Sequence, residues 1–152
     1  MAYCRCYPAA LIPGNELCIV MIFYYRGMIV INKICQVIDG EYVCDIDISV
    51  EEWKALLMNE KVFDSKSIEA LKKWYIEPNH SCTCFDIGKK YEQHSMSANG
   101  VINGLGGRVQ KELGRFEVKG IGNIAPGTKF ITVMKSKETG EKPKRYLWTI
   151  RD

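Results

Sequence analysis

The spacing of hydrophobic and polar positions changes period twice along the chain. Residues 29–37 and 42–48 are β-prone and flank Asp39-Gly40, a dipeptide suited to a two-residue turn, which predicts a β-hairpin. An uncharged apolar run at residues 17–25 precedes it and is also β-prone, whereas residues 1–16, broken by Pro8, Pro13 and Gly14, follow no period. From Ser49 the spacing becomes helical. Ser49 and Glu52 fit a capping box, and Trp53, Leu56 and Leu57 form the apolar stripe of a helix ending near Asn59. A second helix is expected from Asp64-Ser65, carrying Ile68, Leu71, Trp74 and Tyr75 and stopping before Pro78. Thr83 with Asp86 opens a short third helix through Ile87 toward Tyr91.

The fourth predicted helix, residues 96–113 closed by Gly114, carries two stripes. Ala98, Ile102, Leu105 and Val109 fall on one side; Asn99, Asn103, Gly106 and Gln110 lie about a quarter turn away. Gly100, Gly104, Gly106 and Gly107 together cost about 4 kcal/mol in a helix interior relative to alanine. Close approach to DNA or to a neighbouring element would offset that cost; a broken helix would avoid it. Residues 128–134 and 145–150 then read as strands joined by a lysine-rich loop at 135–144. The order predicts an α+β chain: an N-terminal extension with a β-hairpin over residues 1–47, and a winged-helix-like domain over 48–152. The latter is a helix-turn-helix variant whose last helix enters the major groove and whose C-terminal β-hairpin is the wing.

A length of 152 residues fits about one domain, and 47% hydrophobic residues at a mean hydropathy of −0.14 can bury a core. Residues 17–25 fall well short of the ~20 apolar residues a transmembrane helix needs, so no membrane partner is expected. No secretory pattern opens the chain, and the seven cysteines show no repeated framework spacing; a cytoplasmic location with reduced thiols is expected. Met21 and Met28 offer internal start sites. Charge is polarised: residues 1–86 hold 8 Lys/Arg against 12 Asp/Glu, residues 87–152 hold 13 against 6. A basic C-terminal half is compatible with a polyanionic partner.

Carboxamides on one helix stripe can pair bidentately with the N6 and N7 edge of adenine, and lysines around a turn can hold phosphates. The expected DNA-binding set is Ser97, Asn99, Asn103, Arg108, Lys111, Lys135, Lys137, Lys142, Lys144 and Arg145, with double-stranded DNA as partner. His80, Cys82 and Cys84 are the best metal candidates, but their spacing departs from structural zinc sites, and no metal or other cofactor is expected. Gly120-Ile121-Gly122-Asn123-Ile124-Ala125 matches a loose dinucleotide pattern and is rejected because Pro126-Gly127 follows where a helix is required. With His80 and His94 the only histidines, acid–base catalysis is thinly supplied and no enzymatic activity is expected. The alternative is a protein-interaction module, with a homodimer formed through the N-terminal strands.

The run Ile48-Ser49-Val50-Glu51-Glu52-Trp53 with Leu56-Leu57, then Leu71, Pro78-Asn79-His80, Tyr91, Asn99, Leu105-Gly106, Leu113-Gly114 and Trp148, resembles the winged-helix-like module attached to bacterial HNH-type restriction endonucleases that cut modified DNA. The resemblance covers about residues 46–151. It implies a DNA-binding fold and an accessory place in a restriction or mobile-element system. In that family the nuclease chemistry sits in a separate HNH domain, and this sequence contains no HNH segment. Gly107 stands where the family tends to have a basic residue, beside an arginine matched by Arg108.

Overall fold

A computed structural model describes residues 30–120 and 128–151. The apolar run at 17–25 lies outside them, so the homodimer expected through residues 17–37 falls only in part on described residues; most of the Gly120–Ala125 pattern also lies outside. Asp39 (φ 50°) and Gly40 (φ 77°) make the positive-φ turn between β1 (Ile31–Ile38) and β2 (Glu41–Val43). The helices follow as α1 (Val50–Leu57), α2 (Ser65–Tyr75), α3 (Cys84–Lys90) and α4 (Ser95–Leu113). Strand β3 (Ser81–Thr83) lies between α2 and α3; β4 (Phe116–Gly120), β5 (Met134–Glu138) and β6 (Tyr146–Ile150) come after α4. All six strands join one sheet, in the order β3-β6-β5-β2-β1-β4.

The helix starts are set locally. The Ser49 hydroxyl accepts from the Glu52 amide while the Glu52 carboxylate accepts from the Ser49 amide, completing the capping box. Asp64 and Thr83 cap α2 and α3 by accepting from the amides of Ser67 and Asp86, and α4 ends at Gly114 with φ 64°. Ala98, Ile102, Leu105 and Val109 are buried as their spacing predicts. On α2 the stripe is rotated: Ser67, Ala70 and Trp74 are buried, while Ile68 and Tyr75 face solvent, as does Leu57 on α1.

Residues 128–134 are not a strand. Thr128–Thr132 form a 3-10 turn held against α4, and the first strand of the hairpin begins only at Met134. Lys135 and Lys137 therefore lie within β5 rather than in a loop. β4 pairs in parallel with β1, Ile31 opposite Phe116, and β2 pairs with β5, Tyr42 opposite Ser136. Backbone pairing thus runs across the boundary expected at residue 47. The core lies between the inner sheet face and the helices: Trp74 and Phe130 both stack on Trp148, at 6.1 and 4.3 Å between centroids.

Gly106 is held close against the backbone of the 3-10 turn. A Cβ there would stand 2.0 Å from the Lys129 carbonyl oxygen, whereas one at Gly100 would meet nothing within 4 Å. Opposite effects follow for the same substitution. Gly106→Ala should destabilise by about 3 kcal/mol, because backbone must move, and Gly100→Ala should stabilise by about 0.5–1 kcal/mol through helix propensity. Urea unfolding of the two variants checks both signs.

The fold also carries a titratable tie. The Arg115 guanidinium, joined by the Ser49 amide, holds the Glu52 carboxyl down from its ordinary 4.5 to about 2. A depressed carboxylate stabilises the fold above its unfolded pKa, and that contribution is lost as pH falls from about 4.5 through about 2. Glu52→Gln should cost about 1–2 kcal/mol at pH 7 for a partly exposed pair and should remove this share of the acid sensitivity. Stability measured against pH is the check.

Candidate nucleic-acid interface

α3 and α4 are joined by four residues, 91–94, and cross at Gly88. A Cβ at Gly88 would stand 2.7 Å from the Gln93 carbonyl oxygen and 3.0 Å from the Ser95 nitrogen, so the turn can pass over α3 only where there is no side chain. Beside this pair, β3, β6 and β5 form an antiparallel ribbon in which Cys82 faces Trp148 and Trp148 faces Ser136. The Arg145 guanidinium lies 4.1 Å above the Phe85 ring, tying the hairpin to the start of α3. Between α4 and β6 runs an open cleft of about 200 Å³ lined by Phe85, Met96, Asn99, Arg145 and Tyr146 among others.

The amide stripe of α4 faces inward. Asn103 Nδ2 donates to the side-chain oxygen of Asn99 (2.5 Å), and Asn103 Oδ1 accepts from the Phe130 amide (3.1 Å). Gln110 is buried, donating to Thr132 Oγ1 (2.7 Å) and accepting from the Val118 amide (3.2 Å). A bidentate contact to adenine gives about 1–3 kcal/mol, and stripping the buried Phe130 amide of its acceptor costs about 1–3 kcal/mol. Asn103 thus ties α4 to the 3-10 turn, and turning it outward to meet a base edge would forfeit the bond to the Phe130 amide. The four glycines of α4 divide likewise: Gly106 meets the 3-10 turn, and Gly100 meets open space.

Arg108 is likewise engaged within the fold. Its Nε donates to the Val62 carbonyl (2.8 Å), a terminal nitrogen donates to the buried Ser67 hydroxyl (2.5 Å), and Asp64 stands 3.4 Å away. Buried Ser67 therefore has a reason to replace Ile68 on the inner side of α2: it completes the Arg108 clamp. The signal in the sequence was weak, a serine one place off the apolar stripe.

Ser97 and Lys111 lie exposed on the outer side of α4, with Gly100 and Gly104 between them. Asn99 is half-buried at the cleft. Lys135 and Lys137 project from the sheet face away from the helices, Lys137 opposite Glu41 of β2. Lys142 is exposed at the hairpin tip. Lys144 pairs with Glu138 at 2.7 Å and Arg145 approaches Glu141 at 3.8 Å, so part of the expected basic tip is neutralised locally.

His80 stacks on Tyr75, and the Cys82 carbonyl accepts from the Trp74 indole (3.0 Å). Burial pushes the Cys82 thiol up and the Cys84 thiol up to about 12, which keeps both protonated. Among the described residues no three His, Cys, Asp or Glu side chains converge as metal ligands, and no helix is long and apolar enough to cross a membrane. No protein-family model, curated protein or solved structure matches the chain.

Arg108→Ala should cost about 2 kcal/mol of stability, the range for hydrogen bonds from a charged donor, and should leave the salt dependence of any DNA binding unchanged. Denaturation and a salt titration of the same variant separate the two roles.

Proposed function

We propose that the chain is a winged-helix-like, non-enzymatic module that binds double-stranded DNA, as an accessory to a restriction or mobile-element system. The carrying observation is the element order α2-β3-α3-α4 followed by β5-β6. β3 completes a three-stranded ribbon with the hairpin, and the α3–α4 turn passes over Gly88. In this reading α4 presents Ser97, Gly100, Gly104 and Lys111 to the duplex, and the short side chains let the phosphate backbone approach the helix closely. Lys111 and Lys142 supply phosphate contacts, and Asn99, whose side-chain oxygen accepts from Asn103, keeps its amide nitrogen at the cleft for a base edge. The accessory role rests on the family resemblance of the sequence.

Phosphate contacts position a protein without reading sequence, so affinity should be salt-sensitive and sequence preference small. Two lysine contacts give a slope of log K against log salt of about −2. Fluorescence anisotropy on a random 20-mer duplex, unmodified and cytosine-methylated, at several salt concentrations tests this. Lys111→Ala and Lys142→Ala should each reduce the slope by about one and weaken all duplexes alike. Absence of binding at low salt overturns the proposal. It would favour a protein-contact module instead, for which Val50, Leu57, Met58, Tyr75 and Ile76 are exposed on and just after α1 and α2.

A further inference from the structure

We propose that Cys35 and Cys44 form a cross-strand dithiol that closes to a disulfide on reaction with a small-molecule disulfide. The hairpin register pairs Ile38 with Glu41, Val37 with Tyr42 and Gln36 with Val43; one step further Cys35 faces Cys44. With a two-residue turn the 38–41 pair exchanges both backbone hydrogen bonds. The alternation then makes 35–44 a non-hydrogen-bonded pair, with Cα atoms about 4.5 Å apart. That separation falls within the range a disulfide spans, roughly 4.4–6.8 Å. Both side chains point to the helix-facing side and are buried, the Cys35 thiol reaching the Gln36 carbonyl at 4.0 Å, and both are free thiols in this structure.

The surroundings divide the roles. Arg151 is fixed by bonds from its Nε to the Ile131 carbonyl (2.7 Å) and from its amide to the Val133 carbonyl (3.1 Å). Its positive charge acts on both thiols. The neighbouring Cys35 thiol, with Arg151 and Lys33 nearby, lowers the Cys44 thiol, while Cys44 and burial push Cys35 up. Cys44 is also the more accessible, 9% exposed against 0% for Cys35, at the point where the chain leaves β2. Cys44 thiolate therefore attacks first. Its sulfur bonds to one sulfur of the small disulfide, and the other sulfur leaves as thiolate. Cys35 then releases its proton to a departing thiolate, and its sulfur attacks Cys44 Sγ and expels the second thiolate. The two cysteines lose two electrons and two protons, and one small disulfide becomes two thiols.

The test is incubation of the intact protein with glutathione disulfide at neutral pH, followed by alkylation of remaining thiols and peptide mapping. Cys35 and Cys44 should lose alkylation together and appear as one cross-linked peptide pair, while Cys82 and Cys84 stay alkylated. In Cys35→Ser, Cys44 should accumulate as the glutathione mixed disulfide, and Arg151→Met should slow its modification several-fold. Full alkylation of both cysteines in the wild type, or a stable glutathione adduct on Cys44 with Cys35 still free, overturns the proposal. The wild-type map stands even where a variant fails to fold.

Discussion

The Gly106 backbone of α4 sits flush against the carbonyl of Lys129, and the position of the C-terminal hairpin depends on that contact. Two carboxamides fasten it: Asn103 takes the Phe130 amide, and Gln110 holds both Thr132 and the Val118 amide. The 3-10 turn is thereby fixed to the helix, and the Val133 amide donating back to Phe130 leads the chain directly into β5. β5 in turn pairs with β2 on one side and β6 on the other. A side chain at position 106 would lever the hairpin away from α4 as a unit, since packed interiors transmit displacement rather than absorb it.

This arrangement bears on what α4 can present to a partner. Its polar side chains with the best hydrogen-bonding geometry are consumed in holding the turn, and its outer face is left with small residues and Lys111. Such a face suits contact through backbone shape and charge better than recognition of base edges. α4 and the hairpin converge at the cleft beside Asn99, which Phe85 and the Arg145 stacked on it help to line.

Legibility in the sequence followed the range of the interaction. The capping box at Ser49, the caps at Asp64 and Thr83, the Asp39-Gly40 turn and the Gly114 terminus involve residues within four positions of each other, and all were readable. β4 was not. It is five residues long, with Lys119 and Gly120 exposed, and exists because it pairs with β1 some 80 positions earlier. Residues 128–132 have strand-like composition, but α4 offers them a surface that a 3-10 turn fits. Asn103 and Gln110 misled for a physical reason as well. A polar residue on a helix reads as solvent-facing unless its partner is known, and both partners lie on elements that follow α4 in the chain.

The charge asymmetry of the sequence takes on a different meaning in three dimensions. Cations of the basic half pair with acids of the acidic half: Arg108 with Asp64, Arg115 with Glu52, and Lys90 with Glu77 at 2.6 Å. The Asn59 amide donating to Glu112 adds a neutral–charged tie between the same two halves. Much of the segregation thus fastens α1, α2 and the turn after α2 to α3, α4 and β4, instead of making one basic surface. Charge neutralised at a few ångströms contributes little beyond a Debye length of about 8–10 Å. The exposed cations of the basic half, Lys89, Lys111, Lys129, Lys137 and Lys142 among them, lie on several elements, a smaller field at any one surface than a half-chain excess of 13 over 6 implies. Association driven by so few cations is weak at physiological salt and steep in its salt dependence.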